Sequence, residues 1–139
     1  MEDILEFQGE YRWLSNFWPC KVVFNGLTFH CVECAYVAAK ILDKELQKRI
    51  SLMSAGEAKK FGRTLQIRND WEDIKYDLMW HFVRQKFLDK DLAAKLKATG
   101  NANIVEGNYW GDTYWGVCKG KGQNNLGKII MAVRDELGE

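Results

Sequence analysis

The longest helical pattern of the chain lies at residues 69–87, which read NDWEDIKYDLMWHFVRQKF. Apolar side chains recur there at steps of three and four residues and define one buried face, formed by Trp71, Ile74, Leu78 and Phe82. Asn69 or Asp70 can cap the first turn. The stretch therefore predicts a long amphipathic helix, and helical patterns continue on both sides of it.

Three shorter helical patterns precede this segment. Residues 32–42 are rich in alanine and contain no helix breaker, and residues 45–50 have a helical composition. Ser54-Ala55-Gly56-Glu57 has the spacing of a capping box, in which Ser54 is the N-cap and Glu57 the third helical residue. The helix that it opens is expected to end near Phe61-Gly62, with Gly62 as its C-cap.

A β-hairpin is predicted nearer to the N-terminus. The β-prone residues 21–24 and 27–29 flank Asn25-Gly26, and an Asn-Gly pair between two such runs is the strongest short-range hairpin signal.

Downstream of the long helix, Asp89 or Asp91 caps another helix that ends at Thr99-Gly100. A final amphipathic helix over residues 126–137 has five apolar positions that should face inward, Leu126, Ile129, Ile130, Val133 and Leu137. The expected fold is a mainly α single domain over residues 1–139, with a small β-hairpin near the N-terminus.

Composition narrows the classes of function. The chain has 139 residues, which fits one domain, and its 20 Lys and Arg balance 19 Asp and Glu. This balance gives no reason to expect tight nucleic-acid binding that is independent of sequence. The first residues lack the apolar region of a signal peptide, and no stretch approaches the roughly 20 apolar residues that span a bilayer. We expect a cytoplasmic protein with no membrane contact and with its four cysteines reduced.

Cys31-x-x-Cys34 follows His30 directly and raises the question of a metal or redox site. One cysteine pair needs two further ligands for a tetrahedral metal, and the other histidine, His81, belongs to a different predicted helix. The pattern favours buried, inert thiols and predicts no metal site.

Glu33 is the most informative carboxylate, because it lies near the start of an apolar, alanine-rich helix. Helical spacing places Glu33, Tyr36, Val37 and Lys40 on one face. Such a face is either a satisfied structural network or the wall of an active site, and the pattern alone leaves both open.

A stretch rich in glycine, asparagine and aromatic residues covers residues 101–125, and long ordered loops are usually functional. Asp112 lies in it between Trp110 and Trp115. An acid among aromatic rings suits a flat, partly cationic sugar–base substrate, but an Asp after Gly111 can also simply form a turn.

The same stretch leads into a helix at Asn125-Leu126, where free backbone N–H groups would favour an anion. The nearby cations Lys119, Lys121 and Lys128 fit a phosphate. A surface loop without a ligand is the alternative.

Taken together, a series of ordered motifs resembles the YbiA-like, or NADAR (NAD- and ADP-ribose-associated), family from about residue 7 to residue 137. These motifs are Leu14-Ser15-Asn16-Phe17-Trp18, Val32-Glu33 with Tyr36, Ala38 and Lys40, Ser54 to Lys59, Gly62-Arg63, Arg68-Asn69-Asp70-Trp71, Lys86-Phe87, Thr99-Gly100, Val105-Glu106-Gly107-Asn108, Gly111 to Gly116, and Gly122 to Lys128 with Met131 and Arg134.

The resemblance implies a compact, mainly α fold and hydrolysis of N-glycosidic bonds. Activities in that family include cleavage of early riboflavin-pathway intermediates and removal of ADP-ribose from guanine, also in DNA, beside a DNA ADP-ribosylating toxin. The family's catalytic Glu falls on Glu33, its pocket Trp on Trp71 and its loop acid on Asp112. Other pocket positions match Asn16, Lys40 and Asn125.

The chain departs from the family pattern at three positions on the predicted helix of Glu33. The family often has His after the catalytic Glu, where this chain has Cys34, and Gln at the positions of Val37 and Ala39. We expect a less polar pocket wall there.

Cleavage of a ribosyl C–N bond passes through an oxocarbenium-like state, for which two carboxyl groups are the usual device. We therefore expect Glu33 to act as general base or stabiliser of the cation, and Asp112 as the second acid. The expected substrate contacts are Trp71, with Trp110 or Trp115, for stacking on the base, Arg12, Lys40 and Lys128 for phosphate, and Tyr36, Asn16 and Asn125 for the rest of the pocket. No metal or organic cofactor is expected.

The expected substrate is a small nucleotide or ADP-ribosyl compound, with ADP-ribosylated guanine, as nucleobase or in DNA, favoured over riboflavin intermediates. A DNA ADP-ribosylating toxin is the expected functional partner. A non-catalytic reader of ADP-ribose would keep the aromatic and cationic residues but would need neither acid.

Overall fold

The computed structural model describes residues 2–138, and most of its regular structure is helical. In chain order the elements are a 3₁₀-helix (Gly9–Leu14), β1 (Val22–Phe24), β2 (Leu27–Phe29), α1 (Val32–Ala39), α2 (Lys44–Ile50), α3 (Ala55–Gly62), α4 (Trp71–Lys86), α5 (Lys90–Ala98), β3 (Gly107–Asn108), β4 (Val117–Cys118) and α6 (Asn125–Leu137). The mainly α fold with a small N-terminal hairpin is confirmed. The chain forms two compact units, one of residues 16–86 and one that joins residues up to 15 to those from 87 onward.

In the first unit, β1 and β2 pair antiparallel, with Phe24 opposite Leu27. Asn25 and Gly26 both have positive φ, of 51° and 75°, which is the conformation that a two-residue hairpin turn requires and that these residue types tolerate. The predicted hairpin is confirmed.

Helix α1 is the centre of this unit and contacts α2, α3, α4 and the hairpin. Its close approach to α3 depends on Gly62, where a Cβ atom would lie 3.1 Å from a methyl group of Val37. The capping box of α3 is confirmed, with both the Ser54 and the Glu57 side chains bonded to backbone N–H groups. Helix α1 ends before the predicted residue 42.

Helix α4 begins and ends within one residue of the prediction, but its buried face differs. Trp71 and Phe82 are buried as expected, whereas Ile74 and Leu78 are half-buried. Buried positions that the apolar pattern did not single out are Met79, Val83 and Lys86.

In the second unit, a parallel bridge joins Ile4 to Ile104, and the two-residue strands β3 and β4 pair in parallel. Helices α5 and α6 contact each other, and α6 buries four of the five predicted apolar residues, while Leu137 is half-buried. Asp89 caps α5 through its side chain. Within the described part of the chain, no helix is long and apolar enough to cross a membrane.

Candidate active site

Helix α1 carries the predicted carboxylate, Glu33, on one partly accessible face. Glu33, Tyr36 and Lys40 are half-buried on the same side of the helix, while the intervening residues are mostly buried. The backbone N–H of Glu33 donates to the carbonyl oxygen of Asn16 at 3.0 Å, and the Asn16 side chain donates to the sulfur of Met79 at 3.7 Å. The segment before the hairpin therefore fixes the first turn of α1, in which Glu33 lies.

Aromatic rings and a cation continue this face. The Tyr36 and Trp71 ring centroids are 5.1 Å apart at 59°, and the Nζ atom of Lys40 lies 5.2 Å from the Tyr36 centroid. Trp71 is only 5% exposed, so a ligand can reach little of its surface, and Tyr36 offers more. Stacking of a base on Trp71 stays a prediction.

Three lysines lie within electrostatic range of one another on this side of the unit. Burial lowers the pKa of Lys40, Glu33 counteracts that shift, and Lys75 and Lys59 lower the pKa further. Lys59 on α3 stands 5.7 Å from the Phe17 ring, and Lys75 on α4 pairs with Glu72 at 2.5 Å. We did not predict Lys59 or Lys75 as site residues, because only the packing of α1, α3 and α4 brings them towards Lys40.

The structure corrects our expectation for Val37 and Ala39. Both side chains are buried, and Val37 packs against Gly62 of α3. Although the helical repeat places Val37 on the side of Glu33, packing against α3 covers its side chain, and Ala39 is fully covered as well. Their departure from the family pattern therefore leaves the polarity of that face unchanged.

Asp112 belongs to the second unit, where it organises a turn. Its Oδ1 atom accepts hydrogen bonds from the backbone N–H groups of Tyr114 at 3.1 Å and Trp115 at 2.9 Å. The Asn108 side chain binds the backbone of Asp112 through both its amide nitrogen and its oxygen. The turn-forming interpretation is thus confirmed, while a catalytic role for Asp112 stays a prediction.

The two tryptophans beside Asp112 differ in accessibility. Trp115 is 9% exposed and packs edge-on against Tyr114, whereas Trp110 is 47% exposed and packs edge-on against Tyr109. Trp110 and Tyr109 line an open cavity of about 480 Å³ together with Leu5 and Gln8. Of the two tryptophans, Trp110 is the one with surface available for a planar ligand.

The expected anion site at the start of α6 is not formed by the two N–H groups that suggested it. The backbone N–H groups of Asn125 and Leu126 donate to the carbonyl oxygens of Tyr114 and Trp115. The preceding Asn124 has a left-handed conformation, with φ of 54°, and its side chain binds the backbone of Ile104 and Glu106 instead. The loop therefore uses these helix donors for its own folding.

The remaining predicted contacts are also in the second unit. Asn125 is half-buried and its side chain donates to Gln123 at 3.3 Å, Lys128 is exposed, and Arg12 is half-buried in the 3₁₀-helix. The predicted site residues thus fall into two groups, with Asn16, Glu33, Tyr36, Lys40 and Trp71 in one unit and Arg12, Trp110, Asp112, Trp115, Asn125 and Lys128 in the other.

The cysteine pair also lies in the first unit. One potential ligand atom from each of His30, Cys31 and Cys34 lies within 4.8 Å of the other two. The local spacing thus brings together three donors of the type that bind zinc. A metal-free protein, which we expect because a tetrahedral site needs a further ligand, remains a prediction.

Comparisons with known proteins identify the family to which the chain belongs. The chain is 38% identical over 134 residues to a riboflavin biosynthesis protein of Vibrio vulnificus, which covers 93% of this chain but only 36% of that protein. It is 36% identical over 135 residues to the N-glycosidase YbiA of Escherichia coli, covering 92% of this chain and 82% of that protein. The solution structure of Escherichia coli YbiA superposes with a TM-score of 0.84 at 32% identity, covering 99% of this chain and 87% of that one. The family model described as NADAR domain matches residues 6–138, and the chain belongs to this family.

Proposed function

We propose that this protein is an N-glycosidase that hydrolyses the bond between a ribose carbon and a base or amine nitrogen. The observation that supports this most is the half-buried carboxylate of Glu33 on one face with Tyr36 and Lys40. The similarity to proteins named N-glycosidase extends over most of the chain.

In the proposed reaction, the C–N bond breaks while positive charge develops on the ribose. Glu33 stabilises this charge or accepts a proton from the attacking water, and Asp112 is proposed as the second acid. Water adds to the ribose carbon and the leaving nitrogen gains a proton, so that one water is consumed for each bond cleaved. The residues that we assign to these steps require no organic cofactor or metal ion.

The lysines indicate which substituent the substrate carries. Lys40 and Lys59 are half-buried and Lys75 lies near them, so this side of the unit has more positive than negative charge around Glu33. Phosphate oxygens are the natural partners of such groups. We propose that the substrate is a phosphorylated ribosyl compound and that the protein acts in the cytoplasm, where reduced thiols are the default.

Within that class, we propose ADP-ribosylated guanine as the substrate, in the free base or in DNA. A diphosphate offers two anionic groups to Lys40 and Lys59, whereas an early riboflavin intermediate offers one. The names of the Vibrio vulnificus relative and of a maize relative support the second candidate, a phosphorylated ribosylamino-pyrimidine. Because the Val37 and Ala39 side chains are buried, their apolar character favours neither of the two substrates.

One experiment separates the candidates. The value of kcat/KM is measured on ADP-ribosyl-guanine and on the ribosylamino-pyrimidine phosphate at one salt concentration, with product release followed by mass spectrometry. We expect the higher value for ADP-ribosyl-guanine, and a higher value for the pyrimidine phosphate would establish the second candidate. If both compounds are bound but neither is cleaved, the protein is a non-catalytic reader and the proposal fails.

A further inference from the structure

Cys31 and Cys34 form a close pair at the start of α1. Their Sγ atoms are 3.2 Å apart, and Cys31 is the N-cap residue, whose sulfur accepts a hydrogen bond from the backbone N–H of Cys34 at 3.4 Å. Both side chains are buried. Two thiols three residues apart at a helix N-terminus can approach to the bonding distance of a disulfide, which is about 2.05 Å, through a small local movement.

The surroundings of the pair activate Cys31. The hydrogen bond between the two thiols lowers the pKa of Cys31 to about 7 against the effect of burial, and it raises the pKa of Cys34. A thiolate at Cys31 beside a thiol at Cys34 is the arrangement from which a dithiol is oxidised most readily.

We propose that Cys31 and Cys34 are a redox-active dithiol, which a small hydroperoxide oxidises to a disulfide and a small-molecule dithiol reduces again. In the first step, the Cys31 thiolate attacks the peroxide oxygen, the O–O bond breaks and a sulfenic acid forms with release of hydroxide or alcohol. The Cys34 sulfur then attacks the Cys31 sulfur, a disulfide forms and water leaves. With hydrogen peroxide, two thiols and one peroxide give one disulfide and two waters.

The oxidant must be small, because both sulfur atoms are buried. His30 is exposed and its Nε2 atom lies 3.6 Å from the Cys34 sulfur, so the ring marks the side on which solvent comes nearest to the pair. Hydrogen peroxide fits this restriction, and a protein disulfide does not.

The disulfide would act on the proposed active site, and this part of the inference rests on the proposed function. Glu33 lies between the two cysteines, and its N–H group is bonded to the carbonyl oxygen of Asn16. Closing the sulfur distance by about 1 Å moves the turn that carries Glu33. Displacements of this size can cost on the order of 100-fold in rate, and we expect at least about a tenfold loss of kcat.

Mass spectrometry can test the dithiol without any activity measurement. Trypsin cleaves after Lys21 and Lys40, so one peptide of residues 22–40 contains Cys31 and Cys34 and excludes Cys20 and Cys118. The reduced protein is treated with hydrogen peroxide, its remaining thiols are blocked with N-ethylmaleimide, and the peptide is weighed. We expect a peptide that is lighter by two hydrogen atoms and unlabelled, and that becomes doubly labelled after treatment with dithiothreitol.

Matched variants complete the test. Cys34→Ala should leave Cys31 as a sulfenic acid that reacts with dimedone, and Cys118→Ser, which changes another buried cysteine, should form the disulfide as the unmodified chain does. Doubly labelled peptide after peroxide treatment would overturn the proposal, as would one zinc ion per chain in the reduced protein. If the oxidised protein has the same kcat as the reduced protein, the inference that the disulfide lowers the activity is wrong. If neither the reduced nor the oxidised protein turns over substrate, the proposed function is contradicted, and the mass measurement alone decides whether the disulfide forms.

Discussion

Gln47 joins three parts of the first unit, and its replacement by Leu should destabilise the protein strongly. The side chain is 2% exposed. Its amide nitrogen donates to the carbonyl oxygens of Ala38 at 3.2 Å and Ile41 at 2.8 Å, and its oxygen accepts from Asn25 in the hairpin turn at 2.8 Å. The Ile41 carbonyl lies just beyond the end of α1, and the Ala38 carbonyl also accepts from the backbone N–H of Ile41 at 3.3 Å.

The expected magnitude follows from the three hydrogen bonds that the variant loses, of which the bond to the Ile41 carbonyl at 2.8 Å is the most important. A buried polar group that loses its partner costs about 1–3 kcal/mol, and the apolar Leu side chain recovers part of that cost. We expect Gln47→Leu to lower the free energy of unfolding by about 2–4 kcal/mol. For a chain of this size that corresponds to a fall of roughly 6–12 °C in Tm.

Gln85 is the matched control. Its side chain binds both backbone groups of Val23, accepting from the N–H at 2.7 Å and donating to the carbonyl oxygen at 2.9 Å. These bonds are exposed, so water can replace them, and Gln85→Leu should cost less than about 1 kcal/mol. Urea unfolding followed by circular dichroism measures both variants. Equal costs for Gln47→Leu and Gln85→Leu would refute the argument from burial.

Three further predictions concern the site. Asp112→Asn keeps the side-chain oxygen that accepts from Tyr114 and Trp115, so it should preserve Tm and lower kcat by on the order of 100-fold. Asp112→Ala should in addition lower the free energy of unfolding by about 1–2 kcal/mol. An unchanged kcat in Asp112→Asn would show that this residue only forms the turn. Lys40→Met should raise KM for a phosphorylated substrate about tenfold. Lys48→Met changes an exposed lysine and is the control. Equal KM values in both variants would show that Lys40 does not bind the phosphate. Elemental analysis should find no stoichiometric zinc, and activity should survive EDTA, whereas one bound zinc per chain would show that the three donors around Cys31 form a metal site.

The features that could be predicted from sequence depend on neighbouring residues. The Asn25-Gly26 turn and the capping box at Ser54 follow from the conformations and hydrogen bonds of a few adjacent residues. The face of Glu33, Tyr36 and Lys40 needs only the helical repeat. These local rules gave the order and type of the helices, and the motifs together gave the family.

The features that sequence reasoning missed depend on distant parts of the chain. The pattern rule assigns Lys86 to the solvent, but its burial beside the cysteines comes from the packing of the unit. Lys59 and Lys75 approach Lys40 only because α3 and α4 both pack on α1. The donors at the start of α6 looked available, yet the loop that precedes the helix folds back and uses two of them.

The most direct test of the proposed chemistry is the rate of base release by the Glu33→Gln variant on whichever substrate the unmodified protein cleaves. Gln keeps the size of the side chain and removes its charge, so kcat should fall by on the order of 100-fold or more while Tm stays nearly unchanged. Glu45→Gln, which alters an exposed carboxylate on α2, should keep full activity. A Glu33→Gln variant with the kcat of the unmodified protein would contradict the assignment of Glu33 as the catalytic carboxylate.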